Sequence, residues 1–294
     1  MIEQFRGTTV ALITPFDDNG EVDRARLRKL VDWQIERGTD VILTCGTTGE
    51  SATLSHEEHH DVMNIVIDQV AGRIPVLCGA GSNATHEAIS LSQHAEKAGA
   101  SAILSVAPYY NKPTQEGLFQ HFEAIAQAVD IPVILYNVPG RTGCNIAATT
   151  VLRLAEIPNI IGVKEASGDM TQIMAILKGR PKGFLVLSGD DALTLPLLSL
   201  GADGIISVVA NEAPEMLHDM VHSAFDGAWD KARAIHYKLL PLMHFNFVET
   251  SPIPVKTAAY LMGLIKPNFR LPLVKMSELN TKKMASLLKQ LDLI

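Results

Sequence analysis

The chain has 294 residues, of which 47% are hydrophobic, and a formal net charge of -7. Its isoelectric point is about 5.8 and its mean hydropathy is +0.16. The acidic balance argues against a nucleic-acid partner or an anionic membrane surface. No run of about 18 apolar residues predicts a membrane-spanning helix. The N-terminus lacks the features of a signal peptide, so the sequence predicts a cytoplasmic location.

The three cysteines are Cys45, Cys78 and Cys144. Their number is odd and no C-x-x-C spacing occurs, which argues against a disulfide framework and against a zinc finger. We therefore expect buried free thiols.

The sequence predicts eight short strands, each a β-branched run bounded by turn residues. They lie near residues 8–13, 41–45, 74–79, 101–106, 131–136, 159–164, 184–188 and 204–208. Helical patterns follow them near residues 23–37, 56–71, 84–98, 115–128, 147–156, 170–179, 191–200 and 213–225. The strands start about every 20–35 residues, which is typical of βα units.

Eight such units favour an α/β fold, a closed (β/α)8 TIM barrel, over an open doubly wound sheet. Polar or special residues follow nearly every strand, as in Thr14-Pro15 and Ser188-Gly189-Asp190. A barrel brings all of its strand C-termini to one mouth, whereas an open sheet concentrates them at a switch point.

Three further helical patterns follow the barrel, near residues 229–247, 254–264 and 278–291. They predict a C-terminal helical extension. No Pro/Gly/Ser-rich linker precedes them. We therefore expect a barrel formed by residues 1–225 and a helical domain, residues 226–294, packed on it.

The stretch "SHEEHH", residues 55–60, contains His56-Glu57-x-x-His60, the spacing of a zinc-protease motif. Ser55 and Glu58 also form a capping box, which puts the histidines in the first turn of a helix. The helix-start interpretation is stronger, and no metal site is predicted. The nearby stretch "CGTTGES" is not a Walker A loop, but its amides and hydroxyls could bind a small carboxylate.

Lys164 is the strongest single indication of function in the sequence. It follows Ile160, Ile161 and Val163 in "NIIGVKEASG", a run typical of a strand buried on both faces. Lysine is rarely buried without a partner or a purpose. Burial disfavours its charged form, and a neutral amine can form a Schiff base with a ketone. The alternative is a lysine paired with Glu165 or another carboxylate at the mouth.

Tyr136 ends the preceding strand, in "VILYNVPGRTG". Because parallel neighbours lie about 4.8 Å apart, its phenol could meet Lys164 over one substrate and transfer protons. Arg141 follows in the same loop and could bind a carboxylate through two hydrogen bonds. The alternatives are barrel packing for Tyr136 and a surface ion pair for Arg141.

Four separated motifs occur in the order of a known family: "GTTGES" at 46–51, "YNVPGRTG" at 136–143, "GVKEASGD" at 162–169 and "SPIPVK" at 251–256. From residue 7 to residue 291 the chain resembles the dihydrodipicolinate synthase (4-hydroxy-tetrahydrodipicolinate synthase) family of the N-acetylneuraminate lyase superfamily. The resemblance implies a (β/α)8 barrel with a C-terminal helical domain, assembled as a homotetramer, a dimer of dimers.

The resemblance also implies roles for individual residues. Lys164 resembles the Schiff-base lysine for pyruvate and Tyr136 the acid–base tyrosine. Thr47 and Tyr110 resemble the other members of a proton relay, with the tyrosine reaching a neighbouring subunit. Substrate-binding positions are implied for Thr48, Arg141, Gly189 and Ile206.

The implied reaction condenses pyruvate with L-aspartate 4-semialdehyde on the way to lysine and diaminopimelate. The covalent iminium stabilises the carbanion, so no metal or cofactor is expected. The alternatives are a sister aldolase acting on N-acetylneuraminate or a keto-deoxy sugar, and a barrel that only binds a metabolite. Arg141 favours the synthase, because it suits a second substrate with a carboxylate.

Feedback by L-lysine is a further implication of the resemblance. The residues that match a lysine-sensitive pattern are Ser51, Ala52, His56, His59, Gly81, Asn83, Glu87 and Tyr109. Glu87 could pair the ε-ammonium group, while Asn83 and Tyr109 could bind the amino-acid end. Alternatively, Asn83 caps the helix at 84–98, with Glu87 near its positive end.

Overall fold

A computed structural model describes residues 2–294, and its strands form one closed parallel barrel in the order β1 to β8. The strands are β1 (Gly7–Ala11), β2 (Val41–Thr44), β3 (Val76–Gly79), β4 (Ala102–Val106), β5 (Val133–Asn137), β6 (Ile160–Glu165), β7 (Leu185–Ser188) and β8 (Gly204–Ser207). Pairing of Gly7 with Gly204 closes the ring between β1 and β8. The predicted fold class is confirmed.

Twelve α-helices and three short 3-10 helices connect and follow the strands in the described part of the chain. The helices are α1 (Arg24–Glu36), α2 (His56–Val70), α3 (Thr85–Ala98), α4 (Gln115–Gln127), α5 (Pro139–Thr142), α6 (Ala148–Leu154), α7 (Met170–Gly179), α8 (Thr194–Ser199), α9 (Pro214–Phe225), α10 (Trp229–Phe245), α11 (Ile253–Leu261) and α12 (Glu278–Gln290). The 3-10 helices are Ile2–Phe5, Ser51–Thr53 and Val209–Asn211. Within residues 2–294, no helix has the length and apolar character needed to span a membrane.

The apolar residues form two clusters, because each barrel strand has an inner and an outer face. The inner cluster fills the barrel and includes Leu43, Leu104, Tyr136 and Leu187. The larger outer cluster lies between the strands and the surrounding helices. Residues needed at the mouth must therefore come from inward-facing positions near the C-terminal ends of the strands.

A register shift in β6 sets which of its side chains face inward. Val133 pairs with Ile160, but Ile134 pairs with Gly162, so one extra residue is inserted in β6. Ile161 packs in the inner cluster, whereas Ile160 and Val163 pack in the outer one. The bulge thus resets the alternation and places Lys164 on the inner face, with Tyr136 as its register partner.

The C-terminal region, both within α11 and between α11 and α12, contacts the βα unit that contains α2. The side chain of Lys256 in α11 pairs with Glu50, which precedes α2, and Arg270 pairs with Glu58 inside it. Together these bonds fix the segment between β2 and α2 from the C-terminal side.

All three cysteines are free thiols, as predicted. Cys45 and Cys78 are buried, and Cys144 is half-buried. Burial raises the pKa of the Cys45 thiol to about 12. A thiol in that environment is a packing group rather than a nucleophile.

Candidate active site

Lys164 lies at the inner mouth of the barrel, where only 6% of it is exposed. Its Nζ lies 4.3 Å from the centre of the Tyr136 ring. Among residues 2–294, no carboxylate oxygen lies within 4.0 Å of this amine. The structure therefore brings amine and phenol together and leaves the amine without a counter-ion.

Glu165, the next residue, faces the other side of the strand. Its carboxylate accepts hydrogen bonds from Asn137 Nδ2 at 3.1 Å, Gln172 Nε2 at 3.1 Å and the Ser167 amide at 2.8 Å. These bonds satisfy a buried charge without help from the lysine. The alternative in which Lys164 pairs with Glu165 is wrong.

Gly189 follows β7 and borders the lysine directly. A Cβ atom at this position would lie 2.6 Å from Ala166 Cβ and 3.0 Å from Lys164 Cε. Because Gly189 has no side chain, the side chain of Lys164 can pass beside it without a steric clash. Ile206 on β8 is buried in the inner cluster with Tyr136, so both predicted pocket positions border the barrel interior.

Thr47 and Thr48 lie in the loop after β2, where Thr47 is exposed and Thr48 is buried. Glu50 ends this loop in a left-handed conformation, with φ of 54°. Its buried carboxylate pairs with Lys256, which has no exposed surface. The buried pair fixes the loop at its C-terminal end.

Lys256 is a buried lysine that the sequence analysis missed. Its Nζ lies 4.3 Å from the Phe16 ring centre and 5.0 Å from that of Phe269. Burial lowers the pKa of Lys256, while the charge of Glu50 opposes that shift. The sequence feature that could have indicated its burial is the position of this lysine in the largely apolar helical stretch "IPVKTAAYL".

An open cavity of about 420 Å³ lies beside the segment between β2 and α2. Thr47 and Arg141 line it, together with most of the residues predicted to bind lysine: Ser51, Ala52, His56, His59, Gly81, Glu87 and Tyr109. Val138 joins the two regions, because it lines the cavity and also packs in the inner cluster with Tyr136. The cavity thus gathers seven of the eight residues predicted to bind lysine, while Lys164 and Tyr136 lie outside its lining.

Arg141 lies on α5, a one-turn helix that the sequence analysis did not predict. Its guanidinium is exposed and makes one long hydrogen bond, 3.4 Å, to the Ser251 carbonyl oxygen. No carboxylate in the described residues pairs with it, so the alternative of a surface ion pair is wrong within this chain. The guanidinium can still bind an anion.

Glu87 has partners on both carboxylate oxygens. His56 Nε2 lies 2.8 Å from Oε1, and the Ser82 hydroxyl donates to Oε2. His59 instead contacts the Gly79 carbonyl oxygen at 2.8 Å, and burial lowers the pKa of this imidazole. The carboxylate is therefore oriented before any ligand arrives.

The helix ends around this cavity differ from one another. The capping box of Ser55 and Glu58 is present at the start of α2, as predicted. The predicted cap by Asn83 is wrong, because Ala84 occupies the cap position of α3 without a side-chain bond. Asn83 does not line the cavity, and its carbonyl oxygen accepts from Asn111 Nδ2 at 2.8 Å.

Tyr110 has a φ of 74° and is 90% exposed. Its ring neither lines the cavity nor donates a hydrogen bond within residues 2–294, although neighbouring Tyr109 does line the cavity. A left-handed conformation costs such a residue about 1–3 kcal/mol. The phenol of Tyr110 is the one predicted catalytic group that extends away from this chain's own site.

A closed (β/α)8 barrel with a buried amine and a phenol on adjacent strands has the arrangement typical of an enzyme that forms a Schiff base. The family model of the dihydrodipicolinate synthetase family matches residues 4–291. The chain belongs to this family.

Individual relatives span the whole chain. The 4-hydroxy-tetrahydrodipicolinate synthase of Syntrophus aciditrophicus is 53% identical over 99% of both chains. The dihydrodipicolinate synthase of Acinetobacter baumannii, solved with pyruvate, is 46% identical with a TM-score of 0.96, covering 98% of this chain and 99% of that one. The Cyanidioschyzon merolae enzyme, solved with lysine bound, is 41% identical with a TM-score of 0.97 over 99% of both.

Proposed function

We propose that this protein condenses pyruvate with L-aspartate 4-semialdehyde to give 4-hydroxy-tetrahydrodipicolinate, through a Schiff base on Lys164. The observation that carries the proposal is the amine of Lys164, buried without a counter-ion 4.3 Å from the ring centre of Tyr136. The names of the full-length relatives support this reaction over that of a sister aldolase.

The chemistry follows from the amine. Lys164 Nζ attacks the pyruvate ketone, and loss of water leaves an iminium. The iminium withdraws electrons, so a methyl proton leaves and an enamine forms. The enamine carbon attacks the aldehyde, and the new alkoxide takes up a proton. The substrate's own amine then attacks the imine carbon, closes the ring and releases the lysine.

The groups around the amine have matching roles. Tyr136 exchanges protons with the reacting atoms, and Thr47 links it to the rest of the relay. Thr48 binds the pyruvate carboxylate beside Gly189 and Ile206. Arg141 binds the carboxylate of the aldehyde substrate, which its exposed and unpaired guanidinium supports.

A borohydride experiment tests the covalent step. Reduction in the presence of pyruvate should add one reduced pyruvate to Lys164, identified by peptide mass. The other buried lysine, Lys256, is the internal control and should carry no label because Glu50 holds it. Label on Lys256, or no label at all, would contradict the assignment.

We also propose that the chain works as a homotetramer, a dimer of dimers, in the cytosol, with residues 226–294 as a helical domain on the barrel of residues 1–225. The exposed and strained Tyr110 supports the assembly, because its phenol reaches no partner among residues 2–294. In the proposed dimer, Tyr110 completes the relay of the neighbouring subunit.

Subunit mixing tests this assembly. Inactive Tyr110→Phe and inactive Lys164→Ala proteins, mixed under conditions that exchange subunits, should regain partial activity. A mixed dimer would then contain one site with both native residues. If exchange is proven and no activity returns, Tyr110 acts in its own subunit.

L-lysine is the proposed effector, bound by the outer part of the cavity. Glu87, held by His56 and Ser82, supplies a negative charge for the ε-ammonium group. The lysine-bound relative from Cyanidioschyzon merolae supports this proposal. Because a regulatory ligand shifts a conformational equilibrium, inhibition should be partial or cooperative with respect to pyruvate. Full activity in millimolar lysine would contradict it.

A further inference from the structure

A second cluster of polar groups lies at the end of the barrel opposite the mouth. Asp40 immediately precedes β2, and His218 and His222 lie one turn apart on α9. One ligand atom from each of these three residues lies within 4.8 Å of the other two. His222 Nε2 is 2.9 Å from Asp40 Oδ2, and His218 Nδ1 is 3.5 Å from the same oxygen.

The carboxylate is held in place by the barrel. The Thr8 amide donates to Asp40 Oδ2 at 2.7 Å, which fixes its orientation. Gly7, with φ of 100°, leaves the necessary space, because a Cβ there would lie 2.3 Å from the same oxygen. Hydrogen bonds of this kind orient ligand groups in metal sites.

One histidine of the cluster lacks a hydrogen bond. His218 Nδ1 is buried, and its 3.5 Å contact with Asp40 does not have hydrogen-bond geometry, so it has no partner within the described residues. The rings of His218 and His222 stack with their centres 3.9 Å apart. In the appropriate tautomers, both ring nitrogens that face Asp40 can act as metal ligands.

Two of the three separations between ligand atoms are close to those around a small transition-metal ion. Tetrahedral Zn²⁺ with bonds of about 2.0–2.2 Å holds its ligand atoms roughly 3.3–3.5 Å apart. The His218–Asp40 separation of 3.5 Å already matches this range, and the His222–Asp40 separation of 2.9 Å needs a small opening. Two imidazoles and one carboxylate favour Zn²⁺, Co²⁺ or Ni²⁺ over Mg²⁺ and Ca²⁺, which prefer oxygen ligands.

We propose that Asp40, His218 and His222 form a binding site for a divalent transition-metal ion of the zinc type, with water as the fourth ligand. The ion would link α9 to the N-terminal ends of β1 and β2, near the seam between β1 and β8. Its role would be structural, because Lys164 lies at the opposite end of the barrel strands. Binding to the folded state alone would raise the unfolding temperature.

Titration with Zn²⁺ tests the site. The chelator-treated protein should bind one Zn²⁺ per chain in isothermal titration, and Co²⁺ should give the visible absorption of a tetrahedral complex. His218→Ala and His222→Ala should each weaken binding at least about 10-fold, since changes next to the ligands alone cost about 10–100-fold. Asp40→Asn can keep the Thr8 hydrogen bond while losing the charge, and should also weaken binding.

The chain offers a matched control on α2. His56 and His60 repeat the four-residue spacing of His218 and His222 without forming part of such a three-residue cluster in the described chain. His60→Ala should leave Zn²⁺ binding unchanged. The proposal is overturned if wild-type protein binds no Zn²⁺, if the folded double variant His218→Ala/His222→Ala binds it equally well, or if His60→Ala weakens binding as much as His218→Ala.

Discussion

Among residues 2–294, two lysines are buried, and their surroundings differ. Lys256 pairs with Glu50 and lies between two aromatic rings. Lys164 contacts one aromatic ring and has no carboxylate within reach in residues 2–294. Burial alone therefore does not distinguish a reactive lysine from a structural one. The absence of a counter-ion, combined with an exposure of 6% for Lys164 against 0% for Lys256, does distinguish these two.

Replacing Lys164 gives the largest expected effect. Lys164→Met keeps most of the volume and removes the nucleophile, so turnover should fall by at least about 1,000-fold. The free energy of unfolding should stay the same or rise, because a buried polar amine without a carboxylate partner is replaced by an apolar group. Steady-state assays and urea unfolding measure the two quantities. A large loss of stability would place Lys164 in the same structural class as Lys256.

Lys256→Met should give the reverse pattern. It leaves Glu50 buried without its partner, which costs about 3–5 kcal/mol in the free energy of unfolding. Urea unfolding measures the loss, and Lys256→Met/Glu50→Leu should recover part of it by removing the stranded charge. Borohydride trapping of pyruvate on Lys164 should persist in whatever fraction is folded. If Lys256→Met is as stable as the wild type, Lys256 does not have the structural role that distinguishes it from Lys164.

Arg141→Ala tests whether the exposed guanidinium at the cavity binds the carboxylate of the aldehyde substrate. Loss of one charge-assisted hydrogen-bonded contact costs about 1.5–3 kcal/mol, or roughly 10–150-fold in kcat/KM for the aldehyde substrate. Formation of the pyruvate adduct should be retained. Arg153, an exposed arginine paired with Glu116, provides the control, and Arg153→Ala should change neither step. Equal loss of both steps in Arg141→Ala would assign Arg141 a structural role.

Glu87→Ala gives the smallest expected change in turnover, because this carboxylate lies in the outer part of the cavity. Inhibition by L-lysine should weaken by about 10-fold or more, since a charge-assisted contact is lost. Dose–response curves at fixed pyruvate measure this. Glu57→Ala removes an exposed carboxylate outside the cavity lining and should leave the curve unchanged. If Glu87→Ala is inhibited as strongly as the wild type, L-lysine binds at a different site.

Local patterns predicted the barrel well, because each strand is a short apolar run and each helix carries its own hydrophobic period. All eight strands lie where they were predicted, and the carboxyl end of β6 holds the predicted Lys164. The meeting of Lys164 with Tyr136 also followed from sequence, since neighbouring parallel strands must lie side by side. The bulge that turns Lys164 inward did not, because nothing in "NIIGVK" shows where the pairing of β6 with β5 shifts by one residue.

Long-range pairs account for most of what the sequence did not reveal. Glu50 and Lys256 are 206 positions apart, and Asp40 and His222 are 182 apart. No local sequence pattern links the members of either pair. They meet only when the barrel closes and the last helices pack against it. The alternative in which Asn83 caps α3 failed for a different reason, because Asn83 lies one position before the actual N-cap residue, Ala84.

The bond between Glu50 and Lys256 also has a consequence for how the chain is made. At roughly 5–20 residues per second, a ribosome needs about 10–40 seconds to add the 206 residues that separate the two partners. During that interval the carboxylate of Glu50, at the end of the loop that contains Thr47 and Thr48, has no lysine partner. We infer that this edge of the catalytic mouth is completed among the last events of synthesis, after the eight strands have emerged.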